Sequence, residues 1–139
     1  MAVRVLTVLA VVFLMGAAAK DDKEKNKLDG TWIMASGERD GEPAPEDFVK
    51  GFKLIIKGEK VTVHIGDQTE EGTFRLDNDK KPKHMTYVPA NGTPNRNGIY
   101  ELDGDKLKIC MSRPDGDRPT EFSTKAGSNC MLFNLKREK

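Results

Sequence analysis

The stretch "FKLIIKGEKVTVHIGDQTEEGTFRL", residues 52–76, decides the fold of this protein. Its first two runs, FKLIIK and KVTVHI, alternate apolar and polar side chains and flank the pair Gly58-Glu59. A period of two is typical of strands with one buried face, and glycine followed by any residue suits the two-residue turn of a hairpin. A second glycine-led turn leads into the run TEEGTFRL. The stretch therefore predicts three antiparallel strands in sequential order.

The same alternation continues on both sides of this stretch. Five further strands are predicted at TWIMAS (31–36), HMTYV (84–88), GIYEL (98–102), KLKICM (106–111) and CMLFNLK (130–136). Eight strands joined mostly by hairpins form a meander, and a meander removes its exposed edges by closing on itself. The sequence thus predicts an all-β fold, an eight-stranded antiparallel up-and-down β-barrel; a two-sheet sandwich of the same strands is the alternative. One short helix is expected between Pro45 and Gly51.

Trp32, the only tryptophan, lies at the start of the first strand. We expect it to plug one end of the barrel core. Closure brings the first and last strands side by side, so Lys136 or Arg137 is expected to lie across the indole ring. The inward positions, from Trp32 to Leu135, are nearly all large side chains. They predict a mostly filled barrel with at most a shallow pocket at one mouth.

Residues 1–19 have the features of a secretory signal peptide: a basic start at Arg4, an apolar run, and the pattern Ala17-x-Ala19 before a cleavage point. The apolar run is shorter than the roughly 20 residues of a membrane span. An uncleaved N-terminal anchor is the alternative. Residues 20–27, KDDKEKNK, contain no apolar side chain and predict a charged flexible leader. The folded domain is then expected over residues 28–137.

The numbers of basic and acidic residues indicate which classes of binding partner are expected. The chain has 23 basic and 22 acidic residues, and removal of Arg4 with the signal leaves 22 of each. A neutral surface with interspersed signs lacks the basic face that phosphate binding requires, so no nucleic-acid partner is expected. We expect a secreted or periplasmic monomer of a bacterial cell envelope, without stable membrane insertion after signal cleavage.

The two cysteines flank the longest loop. By alternation, Cys110 and Cys130 both lie on the outer face of neighbouring antiparallel strands, where their side chains can meet. An exported protein folds in an oxidising environment. We therefore predict a disulfide between them; two free thiols are the alternative.

The loop itself, residues 112–129, has the most unusual polar cluster of the chain. Long loops at a barrel mouth often bind ligands, which makes four of its residues candidate ligand-binding residues: Arg113, Arg118, Glu121 and Phe122. The alternative is that Arg118 and Phe122 pin the loop over one barrel end and close it.

No pattern in the chain indicates catalysis. There is no Gly-x-Ser-x-Gly motif and no plausible Cys-His arrangement, and both histidines, His64 and His84, fall at outward positions. The loop after Asp77 begins like a calcium loop but lacks the required glycine and terminal glutamate. We predict no enzyme activity, no metal site and no cofactor.

Several motifs carry a family resemblance. "GTW" at 30–32 resembles the Gly-x-Trp signature of the lipocalin and fatty-acid-binding group. The ordered set "DGTW", "DGEPAP", "EEGTFRLD", "KKPKHM", "GIYELDGDKLKIC", "RPTEFSTK" and "LKR" resembles the lipocalin-like domain of unknown function found in many exported copies in planctomycetes and some soil bacteria. The resemblance covers residues 28–137. It implies a lipocalin-like barrel, an exported bacterial origin and structural roles for Gly30, Trp32 and Arg137, and it supplies no catalytic residue.

These observations predict an exported non-enzymatic binding domain of unknown ligand, with a small apolar molecule at the barrel mouth as the leading candidate. The alternative is a protein-interaction module of the cell envelope, such as an inhibitor-like barrel that inserts its leader into a protease. A continuous apolar cavity of at least ~300 Å3 would favour the ligand carrier, whereas a filled core with a mobile leader would favour the interaction module.

Overall fold

The computed structural model describes residues 27–139. The predicted signal peptide and all but the last residue of the predicted leader lie outside this range. The described chain contains strands β1 (Gly30–Arg39), β2 (Glu42–Pro43), β3 (Phe52–Lys57), β4 (Lys60–Ile65), β5 (Gln68–Asp77), β6 (Lys83–Pro89), β7 (Arg96–Asp103), β8 (Lys106–Pro114) and β9 (Met131–Arg137), and helix α1 (Glu46–Gly51). The fold is therefore nearly all β, as predicted.

Eight of these strands form a closed antiparallel barrel in the order β1-β3-β4-β5-β6-β7-β8-β9. Closure comes from β1 and β9, which pair along their length from Trp32 opposite Arg137 to Arg39 opposite Met131. The predicted barrel is confirmed and the sandwich alternative is wrong. The two-residue strand β2 pairs only with the end of β1 and is not part of the barrel wall.

The hairpins form where the sequence predicts them. Lys57 pairs with Lys60, which leaves a two-residue turn in which Gly58 has a φ of 61°. Glycine adopts this left-handed conformation without the steric cost that a Cβ imposes. Helix α1 follows Pro45 and ends at Gly51, also as predicted. In the described part of the chain, no helix has the length and apolar character needed to cross a membrane.

Strand β1 is the irregular element of the wall. Its pairing with β9 shifts between Met34 and Ser36, which marks a β-bulge, and its pairing with β3 covers only Gly30 to Ile33. The second half of β1 thus continues along β9 without β3 beside it. Helix α1 lies at this end of the barrel, where Phe48 packs 5.9 Å from the ring of Phe52. The two ends of the barrel are therefore built differently.

Candidate functional site

One end of the barrel is closed by Trp32. The indole is fully buried, and its Nε1 donates a hydrogen bond of 2.8 Å to the backbone oxygen of Leu28, which is also buried. The guanidinium of Arg137 lies over the ring at 4.3 Å from the ring centre. Arg137, and not Lys136, is thus the cation across the indole.

The guanidinium of Arg137 is held on its other sides as well. Its Nε donates to Asp105 Oδ1 at 3.0 Å, and its Nη atoms donate to the backbone oxygens of Asp29 and Lys27. Gly30 makes room for this arrangement, because its φ is 138° and a Cβ there would lie 2.7 Å from Arg137 Nη1. Hydrogen bonds from Lys139 and then Arg137 lower the pKa of Asp105. These contacts give this end a structural role.

The opposite end contains a cavity of about 230 Å3 that opens to solvent. Its walls are apolar side chains from several strands, and they include Phe52, Leu54, Val63, Phe74, Ile109 and Phe133. Leu54 pairs with Trp32 across β1 and β3, so the cavity extends well below the mouth. The barrel is filled at the Trp32 end and has an open apolar cavity at the other end.

A missing side chain on β5 shapes one wall of this cavity. A Cβ at Gly72 would lie 2.7 Å from Cε1 and 2.9 Å from Cζ of Tyr87. The Tyr87 ring therefore lies directly over the backbone of Gly72. It also meets Phe74 edge to face, with ring centres 5.7 Å apart. This packing fixes the direction of the Tyr87 ring along the cavity wall.

Three charged side chains line the cavity at its mouth: Arg39 at the end of β1, Glu70 in β5 and Arg96 at the start of β7. Arg39 is exposed, and the other two are half-buried. Within residues 27–139, neither guanidinium has an ion pair with a carboxylate or a side-chain hydrogen bond. The mouth thus has two cationic groups without protein partners and one carboxylate.

Tyr87 adds a neutral polar group to this end. The residue is only 6% exposed, and its hydroxyl oxygen is buried without a hydrogen-bond partner among the described residues. Burial, and then the negative charge of Glu70, raise the pKa of Tyr87 to about 12. The hydroxyl therefore stays protonated at neutral pH, and its buried oxygen is not exposed to the open cavity.

The long loop with the four candidate ligand-binding residues packs against strands β6 and β7. Arg118 is anchored on β6 and β7: its Nη1 donates to Gly98 O at 2.6 Å and to Met85 O at 3.2 Å, and its Nη2 donates to Thr86 Oγ1 at 2.9 Å. These hydrogen bonds hold the loop against the outside of the barrel. Arg118 thus pins the loop to the barrel wall, and together with Glu121 it lines a separate, open pocket of about 250 Å3 beside Cys130.

The other three candidates of the loop also lie away from the cavity. Phe122 packs on an outer apolar cluster formed by Ile99, Cys110, Cys130 and Leu132. Glu121 forms an exposed ion pair of 3.5 Å with Lys125, and Arg113 is exposed near the end of β8. None of Arg113, Arg118, Glu121 and Phe122 lines the cavity. The loop covers apolar surface on the outer face of the barrel.

Both cysteines belong to this covered outer cluster, where they are buried free thiols. The predicted disulfide is not formed in the structure. Leu132, and not Cys130, lies opposite Cys110 across β8 and β9, so the two cysteines are diagonal neighbours on one face. Burial, and then the nearby Cys130, raise the pKa of Cys110 to about 11. Thiol titration of the unfolded, unreduced protein tests the bridge directly.

Sequence reasoning missed the charged groups of the mouth. Glu70 lies in phase with the inward positions of its strand, as Arg96 does with Tyr100, so the period of two contains a signal for both. Arg39 has no such signal, because the bulge after Met34 changes which residues of β1 point inward. The outer cluster could also have been found. Apolar residues at outward positions of neighbouring strands predict that another segment of the chain packs over them and shields them from water.

No group of three or more His, Cys, Asp or Glu side chains in residues 27–139 is placed to hold a metal ion. His64 is hydrogen-bonded to Thr69 at 3.0 Å on an exposed surface. Searches against protein-family models, curated proteins and solved structures found no match to this chain. The resemblance to the lipocalin-like family thus rests on the sequence motifs alone.

Proposed function

We propose that this protein is an exported, non-enzymatic, lipocalin-like binding domain that holds a small, mainly apolar molecule in the open end of its barrel. The observation that carries the proposal is the solvent-open cavity of about 230 Å3 with apolar walls. Concave apolar sites with a few polar groups are the usual form of small-molecule sites. Export is supported by the signal-like residues 1–19, and family membership by "GTW" and the motifs that follow it.

The cavity limits the size of the ligand. A water molecule takes up about 30 Å3 in the liquid, so about 230 Å3 accommodates on the order of eight non-hydrogen atoms. This is below the ~300 Å3 expected of a ligand carrier, so the volume alone does not favour the carrier over the interaction module; the apolar walls and the open mouth are what support it. The proposed ligand is therefore a compact molecule or a short chain, and the barrel is not a carrier of large lipids.

Native mass spectrometry of the protein purified from its own host tests this function. A small-molecule adduct is expected on the wild-type chain. Val63→Phe fills the cavity from β4 and should remove the adduct, whereas Thr62→Phe, on the outer face of the same strand, should retain it. A wild-type chain without any adduct, found instead in a complex with an envelope protein, would favour the interaction module.

A further inference from the structure

The two cysteines lie close together under the long loop, on the outer face of the barrel. Cys110 is in the middle of β8 and fully buried, and Cys130, just before β9, is 5% exposed. Both belong to one apolar cluster with Ile99 and Leu132. The Cys110 thiol interacts with the Cys130 thiol and donates a hydrogen bond of 3.7 Å to the backbone oxygen of Ser123. The cluster thus contains two neighbouring sulfur atoms that the apolar cavity does not use.

The strand register shows how these sulfur atoms are spaced. Leu132 is directly opposite Cys110, so Cys130 is two residues away from the opposed position. Diagonal neighbours of this kind have Cα atoms about 7–8 Å apart and Cβ atoms somewhat closer. A disulfide requires Cβ atoms about 3.5–4.5 Å apart. Two metal–sulfur bonds of about 2.3 Å, the length found for zinc, hold two sulfur atoms up to about 4.6 Å apart, so a metal ion bridges a wider pair than a disulfide does.

The number and type of ligand atoms select the class of metal ion. Thiolates are soft ligands and favour soft ions such as Cu(I), whereas Ca2+ and Mg2+ require several oxygen ligands. Structural zinc sites have four protein ligands, and no group of three or more His, Cys, Asp or Glu in residues 27–139 is placed to hold a metal. A soft monovalent ion, in contrast, is satisfied by two thiolates in a linear arrangement.

An open pocket gives the pair a connection to solvent. It has a volume of about 250 Å3, and Cys130 lines it together with Arg118, Glu121 and Lys125 of the loop. An ion can therefore reach the Cys130 sulfur from outside the barrel, without entering the apolar cavity at the open end. Such an entry path is one requirement of a metal site.

Charge is the second requirement, because exchange of two thiol protons for one monovalent ion leaves one negative charge. Arg118 lines the same pocket and has no ion pair in residues 27–139, so its positive charge opposes that negative charge. Glu38, which is near Cys110, acts in the opposite direction. Burial raises the pKa of Cys110 to about 11, so only an ion with high affinity for sulfur displaces the proton at neutral pH.

We propose that Cys110 and Cys130 form a two-coordinate site for a soft monovalent metal ion of the Cu(I) class. The ion bonds to both sulfur atoms, and the two thiol protons go to water; no electron is transferred. The site is separate from the apolar cavity and independent of the ligand proposed there. Since the cysteines flank the loop of residues 112–129, the bound ion links the two ends of this loop.

Anaerobic titration of the reduced protein with Cu(I), followed by desalting and metal analysis, tests the site. The wild type should retain one ion per chain and gain a thiolate-to-copper absorption band in the near ultraviolet. Cys110→Ala and Cys130→Ala should each lose the ion and the band. Ag(I), which has the same charge and similar softness, should displace Cu(I), and Zn2+ should not be retained.

Met131→Leu is the matched control. Met131 follows Cys130 in the chain and is opposite Met111, and both methionines line the apolar cavity, where their thioethers are the alternative sulfur ligands. This variant should retain Cu(I) as the wild type does. Thermal unfolding checks that each variant is folded, and Cu(I) should raise the midpoint only where both cysteines are present. Copper X-ray absorption of the wild-type complex, which needs no variant, should show two sulfur neighbours.

The outcomes distinguish this site from the apolar cavity. A reduced wild type that retains no Cu(I) would overturn the proposal. Retention by either cysteine variant would also overturn it, because one thiol would then be sufficient. Loss of the ion in Met131→Leu but not in the cysteine variants would place the ion in the cavity. None of these results changes the test of the apolar ligand, which native mass spectrometry provides separately.

Discussion

The two ends of this barrel both place arginine near an aromatic ring, and they differ in whether the arginine has partners. At the closed end, Arg137 lies over Trp32 and donates to Asp105 and to backbone oxygens. At the open end, Arg39 and Arg96 have no ion pair within residues 27–139, and the nearby Tyr87 hydroxyl is buried without a hydrogen-bond partner among the same residues. Arginine thus helps to close one end of the barrel, whereas the arginines at the other end have unpaired guanidinium groups among the described residues.

The difference follows from how the strands meet. At the closed end, β1 is paired on both sides at Trp32 and Ile33, and the segment before β1 supplies backbone oxygens that accept hydrogen bonds from Arg137. At the open end, β1 has left β3; the two-residue strand β2 pairs with the last residues of β1, and helix α1 packs against the core nearby. Within residues 27–139, the side chains of Arg39 and Arg96 at this end nevertheless form no ion pair and no side-chain hydrogen bond.

The largest expected effect is at the closed end. Trp32→Ala should lower the free energy of unfolding by ~3–5 kcal/mol, since a fully buried indole is removed and leaves a cavity. Urea unfolding followed by circular dichroism measures the change. A loss below about 1 kcal/mol would mean that the plug contributes little, and the contrast between the two ends would fail.

Gly72→Ala tests how rigidly the wall of the open end is packed. The added Cβ would lie 2.5 Å from the backbone oxygen of Val88 and 2.7 Å from the Tyr87 ring, so backbone or ring must move. Overpacking of this kind costs about 1–3 kcal/mol. A loss below about 0.5 kcal/mol, as is usual for surface substitutions, would show that contact with Tyr87 and with the Val88 backbone is unimportant.

A matched pair of substitutions tests the comparison itself. Arg137→Gln should cost about 1–2 kcal/mol, because it removes a cation over an indole and leaves hydrogen-bond acceptors without their donor. Arg96→Gln should change stability by less than about 0.5 kcal/mol, as is usual for surface changes that break no contact. Both values come from parallel urea titrations. Similar losses at the two positions would show that the open-end arginine has structural partners after all.

The strands were the most predictable part of the fold. FKLIIK and KVTVHI are found as β3 and β4 with the predicted bounds, because alternation and a glycine turn determine both ends of each. The barrel followed from the number and order of strands. The extension of β1 to Arg39 was not predictable, since a bulge depends on how neighbouring strands twist and leaves no fixed mark in the local sequence.

The site was less predictable than the fold. The alternation assigns large side chains to the interior, but whether those side chains meet in the middle depends on strand splay, which the sequence does not show. The position of the loop with Arg118 was hard to predict for a similar reason. The ligand-binding hypothesis was based on the polar residues of the loop, whereas the outward-facing apolar residues Ile99 and Leu132 indicate the surface on which the loop packs. Unusual polarity alone did not locate the site.

One substitution at the open end should change stability with the opposite sign from those at the closed end. Tyr87→Phe should raise the free energy of unfolding by about 0.5–1 kcal/mol at pH 7, because it removes a buried hydroxyl that has no partner. The difference should grow in alkaline solution. The pKa of Tyr87 is raised from its usual 10 to about 12, so the wild-type contribution is complete below pH ~10 and is lost as pH rises toward 12.

Unfolding curves of the reduced wild type and of Tyr87→Phe, recorded from pH 7 to 11, measure this difference. Cys110, whose pKa is raised to about 11, also makes the fold less stable above pH ~9, but it does so in both proteins and cancels in the comparison. A destabilised phenylalanine variant would show that the hydroxyl already has an acceptor in the ligand-free protein. A stabilised variant would confirm that the hydroxyl is buried without a strong acceptor in residues 27–139.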